Sequence, residues 1–147
     1  MKKVVRSNVT NLPFSLHDQI VIGFAAEDNR LEMLFKSGFL SITGPLKQVQ
    51  GKIEFEKVDW DFCHVYVLEF PEGHCNLGNF QGKKMELLDF IKQNKNIRFE
   101  IIDETYGYNT SKFDGYLWDE TSMKECMVEI YHLGDMNYLI EEEEGEE

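Results

Sequence analysis

Two cysteines and two histidines lie close together in the sequence, as the pairs Cys63–His64 and His74–Cys75. Thiolate and imidazole are the side chains that most often bind Zn²⁺ in proteins. Within each pair the residues are adjacent, whereas a turn that presents two ligands to one metal needs about two to four residues between them. Neighbouring residues of a strand also point to opposite faces of a sheet. We therefore predict no metal site here.

Carboxylates form two further constellations. His17 and Asp18 precede the first predicted strand, and a histidine beside a carboxylate can act in general-base catalysis. On an extended chain the two side chains point apart, so the alternative is a structural role for Asp18 at the start of the strand.

Asp59 and Asp61 flank Trp60, and paired carboxylates serve glycoside hydrolysis. No second acidic strand end accompanies them, so we interpret this stretch as a charged turn held by a packed indole.

The chain has no nucleophile elbow, phosphate loop, H-E-x-x-H motif or dinucleotide fingerprint. Glycines in the segment Gly78–Gly82 precede a predicted helix and could hold an anion, but no basic residue lies among them. We therefore predict no catalytic residues and no cofactor. An enzyme whose site is dispersed through the sequence stays open as an alternative.

Aromatic residues form the more informative cluster. Tyr106, Tyr108, Tyr116 and Trp118 fall in or beside one predicted hairpin, with Phe113 between them. Tyr and Trp provide large contact areas at low entropic cost, so these four residues are a candidate binding surface. The alternative is a cross-strand aromatic ladder that only stabilises the hairpin.

The segments that must position these residues mostly have the pattern of strands. Strand-forming composition or apolar–polar alternation marks residues 20–26, 31–35, 49–55, 62–70, 97–101, 112–119 and 127–133. The segment 62–70 is apolar on both faces, which is typical of a central strand. Short links rich in Asp and Asn indicate antiparallel hairpins.

One segment has the pattern of a helix. Residues 82–94, GKKMELLDFIKQN, place Leu87, Leu88 and Ile91 on one face. A helix of about 12 residues is marginal on its own, so we expect this face to be buried against a sheet. The candidate N-cap is Asn79.

These elements predict a mainly β (α+β) fold, either an antiparallel sandwich or a partly open barrel of seven to eight strands with one inserted helix. No linker divides the 147 residues, so residues 1–140 are predicted to form a single globular domain. Residues 141–147, EEEEGEE, are predicted to form a disordered acidic tail. Their charges repel one another and no apolar residue anchors them.

Charge and composition limit the classes of partner. The net charge is −12, and the tail contributes half of it. An acidic body without a Lys/Arg cluster excludes nucleic acid and anionic membrane as expected partners and leaves a basic protein.

Apolar runs are too short to span a membrane, and the N-terminus lacks the apolar region of a signal peptide. Three widely spaced cysteines suit a reducing cytosol. We predict a cytoplasmic protein; nothing in the sequence indicates its oligomeric state.

The segment Leu16–Phe24, with its His-Asp pair, and the segment Asn29–Phe35, with the pattern N-x-L-x-x-x-F, form a hairpin that resembles a known type. It is similar to the opening hairpin of several small bacterial β-rich families, some of them grouped with immunity proteins of polymorphic-toxin systems. The resemblance covers about the first quarter of the chain. It implies a bacterial cytosolic binding protein and carries over no catalytic residues.

Two functions follow as hypotheses. The first is a non-enzymatic interaction protein, immunity-like in the sense of that resemblance, whose acidic surface binds a basic protein. The second is a small-ligand-binding barrel, since a barrel of about eight strands encloses room for one small ligand. In that case His64, Tyr66 and Phe113, with Trp118, are the candidate cavity-lining residues. A packed interior would argue against the second hypothesis.

Overall fold

The structure is a computed structural model that describes residues 1–3, 12–70 and 78–142. The elements in chain order are β1 (Phe14–Ser15), β2 (Ile20–Glu27), β3 (Arg30–Phe35), β4 (Phe39–Ser41), β5 (Lys47–Val49), β6 (Gly51–Phe55), a 3-10 helix (Trp60–Phe62), β7 (His64–Glu69), β8 (Gln81–Glu86), α1 (Leu87–Gln93), β9 (Arg98–Tyr106), β10 (Thr110–Trp118), β11 (Met123–Tyr131) and β12 (Met136–Ile140).

Nine strands form one antiparallel sheet in the order β12-β6-β3-β2-β9-β10-β11-β7-β8, and β1, β4 and β5 form a second sheet. The predicted class, mainly β with antiparallel strands and one helix, is confirmed. The predicted number of seven to eight strands is too low. Strands of two or three residues have too few positions to show alternation, which explains why β1, β4 and β5 were not predicted.

The core lies on the concave face of the large sheet. Alternate residues of β6, β9, β10 and β11 point into it, and each of them is at most 1% exposed: Ile53, Phe55, Phe99, Ile101, Phe113, Val128 and Ile130. Phe55 and Phe113 touch across the interior, with ring centroids 6.2 Å apart, although three strands separate β6 from β10 in the sheet. The large sheet must therefore curve so that β6 faces β10.

The small sheet packs its aromatic residues against one edge of the large sheet. Phe39 of β4 is fully buried, and its ring lies 5.2 Å from Phe14, 5.5 Å from Phe35 and 5.7 Å from Tyr138 of β12. Edge-to-face ring pairs at such distances stabilise by about 0.5–1.5 kcal/mol beyond the area that they bury. These contacts fix the small sheet beside β12.

The helix is shorter than predicted, and it starts at Leu87 rather than at Gly82. Residues 81–86 instead form β8, in which Lys83 pairs with Val67 and Met85 with Val65 of β7. Lys, Met and Glu are good helix formers, but pairing with an apolar strand overrides this weak preference. The N-cap is Glu86, which makes no side-chain capping bond, so the prediction of Asn79 is wrong.

The buried face of α1 is also rotated from the predicted one. Leu87 and Phe90 are 0% and 2% exposed, whereas Leu88 and Ile91 are only half-buried. The shorter helix packs against β2, β7 and β8, and at its first residue the Leu87 N–H donates to the Cys63 carbonyl oxygen at 3.0 Å. This anchor selects Leu87 and Phe90 as the residues that enter the core.

A β-bulge changes which residues of β9 point inward. The pairing of β9 with β10 shifts between Asp114 and Gly115, so that Gly115 pairs with Ile101 while Phe113 pairs with Glu104. A Cβ atom at position 115 would overlap the carbonyl oxygen of Glu100, so the close approach of the two strands requires glycine here. Beyond the bulge, Glu104 and Tyr106 therefore share the inward face with Phe113.

Candidate functional site

Tyr106, the first of the four predicted surface aromatics, belongs to an internal polar cluster. Its hydroxyl donates to Glu104 Oε1 at 2.8 Å, and Glu104 Oε2 accepts from the Leu16 N–H at 2.8 Å. Burial raises the pKa of Tyr106, and the nearby Glu104 and Tyr138 raise it further. The phenol thus stays protonated, and the Glu104 carboxylate that it contacts links β9 to Leu16, which follows β1.

Of the other three predicted aromatics, Tyr116 and Trp118 share the convex face of β10, whereas Tyr108 lies at the opposite end of that strand. Tyr108 lies in the β9–β10 turn and is 90% exposed. Tyr116 lies on the convex face of the sheet, where Glu100 and Glu125 are its cross-strand neighbours. Trp118 packs beside its cross-strand neighbour Arg98, whose guanidinium lies 5.6 Å from the indole centre. Tyr108 and Trp118 are ten residues apart along a strand, which at about 3.3 Å per residue is on the order of 30 Å. The structure does not bring the four side chains together.

The three residues predicted to line a cavity are also separated. Val65 and Val67 of β7 point into the core, so His64 and Tyr66 lie on the convex face. Phe113 is on the opposite face, fully buried between Phe55 and Tyr106. The interior at Phe113 is thus filled by aromatic side chains, and these three residues share no common pocket.

The side chains of Cys63 and His64 lie on opposite faces of the sheet. Cys63 is fully buried, and burial raises the pKa of its thiol to about 11. His64 Nδ1, on the other face, lies 3.7 Å from Glu129 Oε1. His74 and Cys75 lie outside the described residues. Within the part of the chain that is described, no group of three or more His, Cys, Asp or Glu side chains could hold a metal ion.

The two carboxylate constellations are parts of turns. Asp18 has a φ of 64°, and this turn brings its Oδ2 within 3.3 Å of His17 Nε2, although both side chains are more than half exposed. The Asp18 N–H donates to the Ile101 carbonyl oxygen at 2.8 Å. Asp59 caps the 3-10 helix by accepting from the Asp61 N–H at 3.2 Å.

Ser111 and His132 form a pair that the sequence pattern did not indicate. Ser111 Oγ lies 2.7 Å from His132 Nε2, and His132 Nδ1 lies 2.9 Å from the Gly134 carbonyl oxygen. A serine hydroxyl next to a histidine ring that a third group orients is the arrangement of an activated serine nucleophile. Ser111 is only 2% exposed, however, so a substrate cannot reach its hydroxyl. Inward alternation with Phe113 is the one sequence signal for the buried position of Ser111. We interpret the pair as a satisfied polar contact of the core.

Four loop segments meet at one end of the large sheet and are joined by hydrogen bonds. We call this surface the loop-tip face; it comprises residues 28–29, 57–62, 107–109 and 133–135. Asn29 O accepts from the Val58 N–H at 2.8 Å, Lys57 O from the Leu133 N–H at 2.9 Å, and Asn109 O from the His132 N–H at 2.9 Å. The Trp60 indole N–H donates to the Asp28 carbonyl oxygen at 2.7 Å. These bonds hold the segments in fixed relative positions.

The loop-tip face exposes large apolar side chains within an acidic surround. Tyr108, Leu133 and Phe62 are 90%, 60% and 56% exposed. The carboxylates of the same segments are those of Asp28, Asp59, Asp61 and Asp135. Asp28, Lys57 and Asn109 have φ values of 52°, 51° and 54°, in the left-handed region that residues with a Cβ adopt at a cost. Strained, hydrogen-bonded turns that present apolar side chains are typical of recognition surfaces.

A second concave feature lies at another part of the molecule, between α1 and the strands β7, β8, β10 and β11. This groove has a volume of about 760 Å³. Its apolar residues include Val67, Met85, Phe90 and Leu117, and its cations are Lys83, Arg98 and Lys124. The Lys124 ammonium lies 2.9 Å from Glu69 Oε1 and holds the pKa of that carboxyl below its usual range.

The sequence did not indicate this groove, because its residues come from segments far apart in the chain. Trp118, at its edge, is the one predicted site residue among those that line it. One sequence signal of the groove is present. Where β7 and β11 line it, their inward positions change from apolar to charged, from Val67 to Glu69 on β7 and from Cys126 to Lys124 on β11.

The chain was compared with models of protein families, with characterised proteins and with solved structures, and none of them matches it. The resemblance of the N-terminal hairpin to bacterial β-rich families thus stays a hypothesis. Among the described residues, no helix has the length and apolar character needed to cross a bilayer.

Proposed function

We propose that this protein is a non-enzymatic interaction protein that binds a basic protein partner through the loop-tip face. The observation that carries the proposal is the combination of exposed Tyr108, Leu133 and Phe62 with surrounding carboxylates on turns that hydrogen bonds hold in place. Aromatic anchors in a surface of this kind supply binding energy, whereas the acidic surround selects and steers a cationic partner.

Pre-organisation supports this reading. Binding is weakened when loops must be ordered as the complex forms. Here the backbone bonds from Asn29, Lys57 and Asn109 already fix the turns, so little of that cost remains. The net charge of −12 also favours association with a basic protein over long range at low ionic strength.

The resemblance of the N-terminal hairpin gives the proposal a more specific form. The partner would be a cationic bacterial toxin domain, and the protein would act in the cytoplasm as an immunity-like inhibitor. Co-expression with such a domain should then rescue growth of the host cell. The Tyr108→Ser variant should lose this protection, since it removes the most exposed aromatic side chain of the face.

Affinity capture from a lysate of the source organism tests the general proposal. The bait is the wild-type protein, the Tyr108→Ser variant or the Trp118→Ser variant, which removes an exposed aromatic elsewhere on the molecule. We expect a basic protein to be retained by wild type and Trp118→Ser, to be lost with Tyr108→Ser, and to be released at high salt. Equal capture by the two variants, or enrichment of no basic protein by wild type, would overturn the proposal.

A second candidate function, ligand binding inside the barrel, is not favoured. The residues at the centre of the interior, among them Phe55, Phe99 and Phe113, are at most 1% exposed. Aromatic rings occupy the space that such a ligand would need.

A further inference from the structure

The large sheet has a free edge at β12. This strand is the last one at its end of the sheet, and in the described part of the chain only β6 pairs with it. Residues 141–147, which we call the acidic run, follow it directly. We propose that the acidic run keeps a second copy of this chain from adding a strand at β12. The inference goes beyond the proposed function and does not rest on it.

The backbone of β12 offers unused hydrogen-bonding groups to a further strand. The Glu141 N–H donates to the Gln50 carbonyl oxygen at 2.9 Å, and the register of β12 on β6 continues this pairing back to Met136. In an antiparallel pair, alternate residues bond to the neighbouring strand. The N–H and C=O groups of Met136, Tyr138 and Ile140 therefore point away from β6, where another strand can bind them.

The side chains of β12 also suit pairing with another strand. Its sequence, MNYLI, has neither a charge nor a proline, and Leu139 and Ile140 are 37% and 39% exposed. The Tyr138 ring lies 4.7 Å from Phe14 and 5.7 Å from Phe39, so the inward face of the strand must stay apolar. Uncharged edge strands of this composition are the ones that pair between molecules.

The opposite edge of the sheet, β8, is protected within the strand itself. It carries Lys83 and Lys84, and charged side chains, lysine above all, discourage the addition of a strand. Because β12 has no such residue, its protection must come from the residues that flank it. Charges that flank an apolar strand are a common device against aggregation.

Pairing of two copies at β12 would bring like charges together. An antiparallel pair centred on Tyr138 matches all five residues of the strand, and it places Asp135 of each copy opposite Glu141 of the other. A parallel pair in register places each glutamate of the acidic run beside its own copy, in strands about 4.8 Å apart. Like charges directly opposite each other destabilise strand pairing. The one cation of β6, Lys52, already pairs with Glu32 at 2.6 Å.

Sedimentation velocity of the purified protein over a range of concentrations tests the inference. The first variant carries Glu→Ser at all six glutamates of the acidic run, which halves the net charge of −12. Serine is chosen because a run of glutamines can itself form ladders between molecules.

The matched control removes six charges elsewhere. Its carboxylates lie outside β6 and β12 and, in the described part of the chain, form no ion pair or hydrogen bond. The changes are Glu27→Gln, Asp89→Asn, Glu100→Gln, Asp103→Asn, Glu120→Gln and Glu125→Gln.

Two further variants close the edge in the Glu→Ser background. The Ile140 N–H points away from β6, so Ile140→Pro removes a free donor without breaking a bond to β6. Ile140→Lys gives β12 an edge charge like those of β8 and repeats the test without a constraint on the backbone.

We expect wild type and the matched control to sediment as monomers. The Glu→Ser variant should associate at least about tenfold more strongly than wild type, since 1.4 kcal/mol of relieved repulsion corresponds to a factor of ten. Both Ile140 variants should restore the monomer.

Three results would overturn the inference: no increase in association of the Glu→Ser variant over wild type, equal association of the matched control, or association that persists in both Ile140 variants. The Tyr108→Ser variant should stay monomeric like wild type, so this outcome is separate from the test of the loop-tip face.

Discussion

The thiol of Cys63 and the backbone of Tyr131 contact each other in two directions. The Tyr131 N–H donates to Cys63 Sγ at 3.3 Å, and Sγ lies 3.6 Å from the Tyr131 carbonyl oxygen. Sγ also lies 3.2 Å from the Asp59 carbonyl oxygen. A buried thiol thus connects the 3-10 helix to β11, and its burial raises the pKa of Cys63 to about 11. Cys126 is also buried, and burial raises the pKa of its thiol to about 12.

The first prediction concerns the reactivity of these thiols. In a Cys75→Ser variant, we expect Cys63 and Cys126 to be inert to Ellman's reagent at pH 8, since a protonated, buried thiol is a poor nucleophile. Both should react once the protein is unfolded in urea. Stoichiometric labelling of the folded variant within minutes would show that one of them is accessible.

The same thiols predict a loss of stability at alkaline pH. In the unfolded chain they lose their protons near the ordinary pKa of 9.0, whereas in the folded protein they keep them up to about 11 and 12. The folded state therefore binds more protons above pH 9, so the free energy of unfolding should fall as the pH rises from 9 towards 11. In the variant with both cysteines replaced by alanine, the free energy of unfolding should fall less steeply with pH, by up to about 2.7 kcal/mol per pH unit. The free energies of unfolding are measured by urea titration at several pH values. An equal pH dependence in the wild-type protein and the double variant would contradict the prediction.

The contact between Phe55 and Phe113 across the interior predicts a large cost for its loss. Phe113→Ala should lower the free energy of unfolding by about 3–5 kcal/mol, because the ring is fully buried and leaves a cavity. Tyr108→Ala is the control and should change stability by less than about 0.5 kcal/mol. Chemical denaturation of both variants provides the measurement, and similar small losses would mean that β6 and β10 do not pack together.

The position of α1 predicts different effects at two adjacent leucines. Leu87 is fully buried and Leu88 only half-buried, so Leu87→Ala should cost about 2–5 kcal/mol and Leu88→Ala distinctly less. The two variants have the same change in composition and the same helix propensity, and therefore differ only in burial. If urea unfolding showed a larger loss of unfolding free energy for Leu88→Ala, the buried face of the helix would be the one that the sequence predicts.

The acidic C-terminal segment provides the last prediction. The Glu141 N–H donates to the Gln50 carbonyl oxygen at 2.9 Å, which extends the contact of β12 with β6 by one residue. Residues 143–147 lie outside the described residues, and their expected disorder stays a prediction. Truncation after Glu142 removes four glutamates and should leave the thermal midpoint unchanged or slightly higher, since repulsion is relieved. A midpoint lower by many degrees would mean that the segment packs on the domain.

The sequence alone determined the fold class and much of the core. Alternation marked the segments 97–101 and 127–133, in which Phe99, Ile101, Val128 and Ile130 are buried, because strand geometry places every second side chain on the same face whatever the strand pairs with. It also identified Trp60 as a packed residue of a charged turn, which the bond from its indole to Asp28 now explains.

Tertiary structure decided which strands meet, and with them every candidate site. Pairing with β7 made residues 81–86 a strand despite their helix-forming composition. The bulge at Gly115 turned Glu104 and Tyr106 inward, so a predicted surface tyrosine became part of the interior. The loop-tip face joins four separate segments of the chain, and the groove joins α1 to residues of the strands from β7 to β11. Periodicity describes only the local direction of a side chain, whereas its neighbours depend on sheet order and curvature, which arise from contacts over long sequence separations.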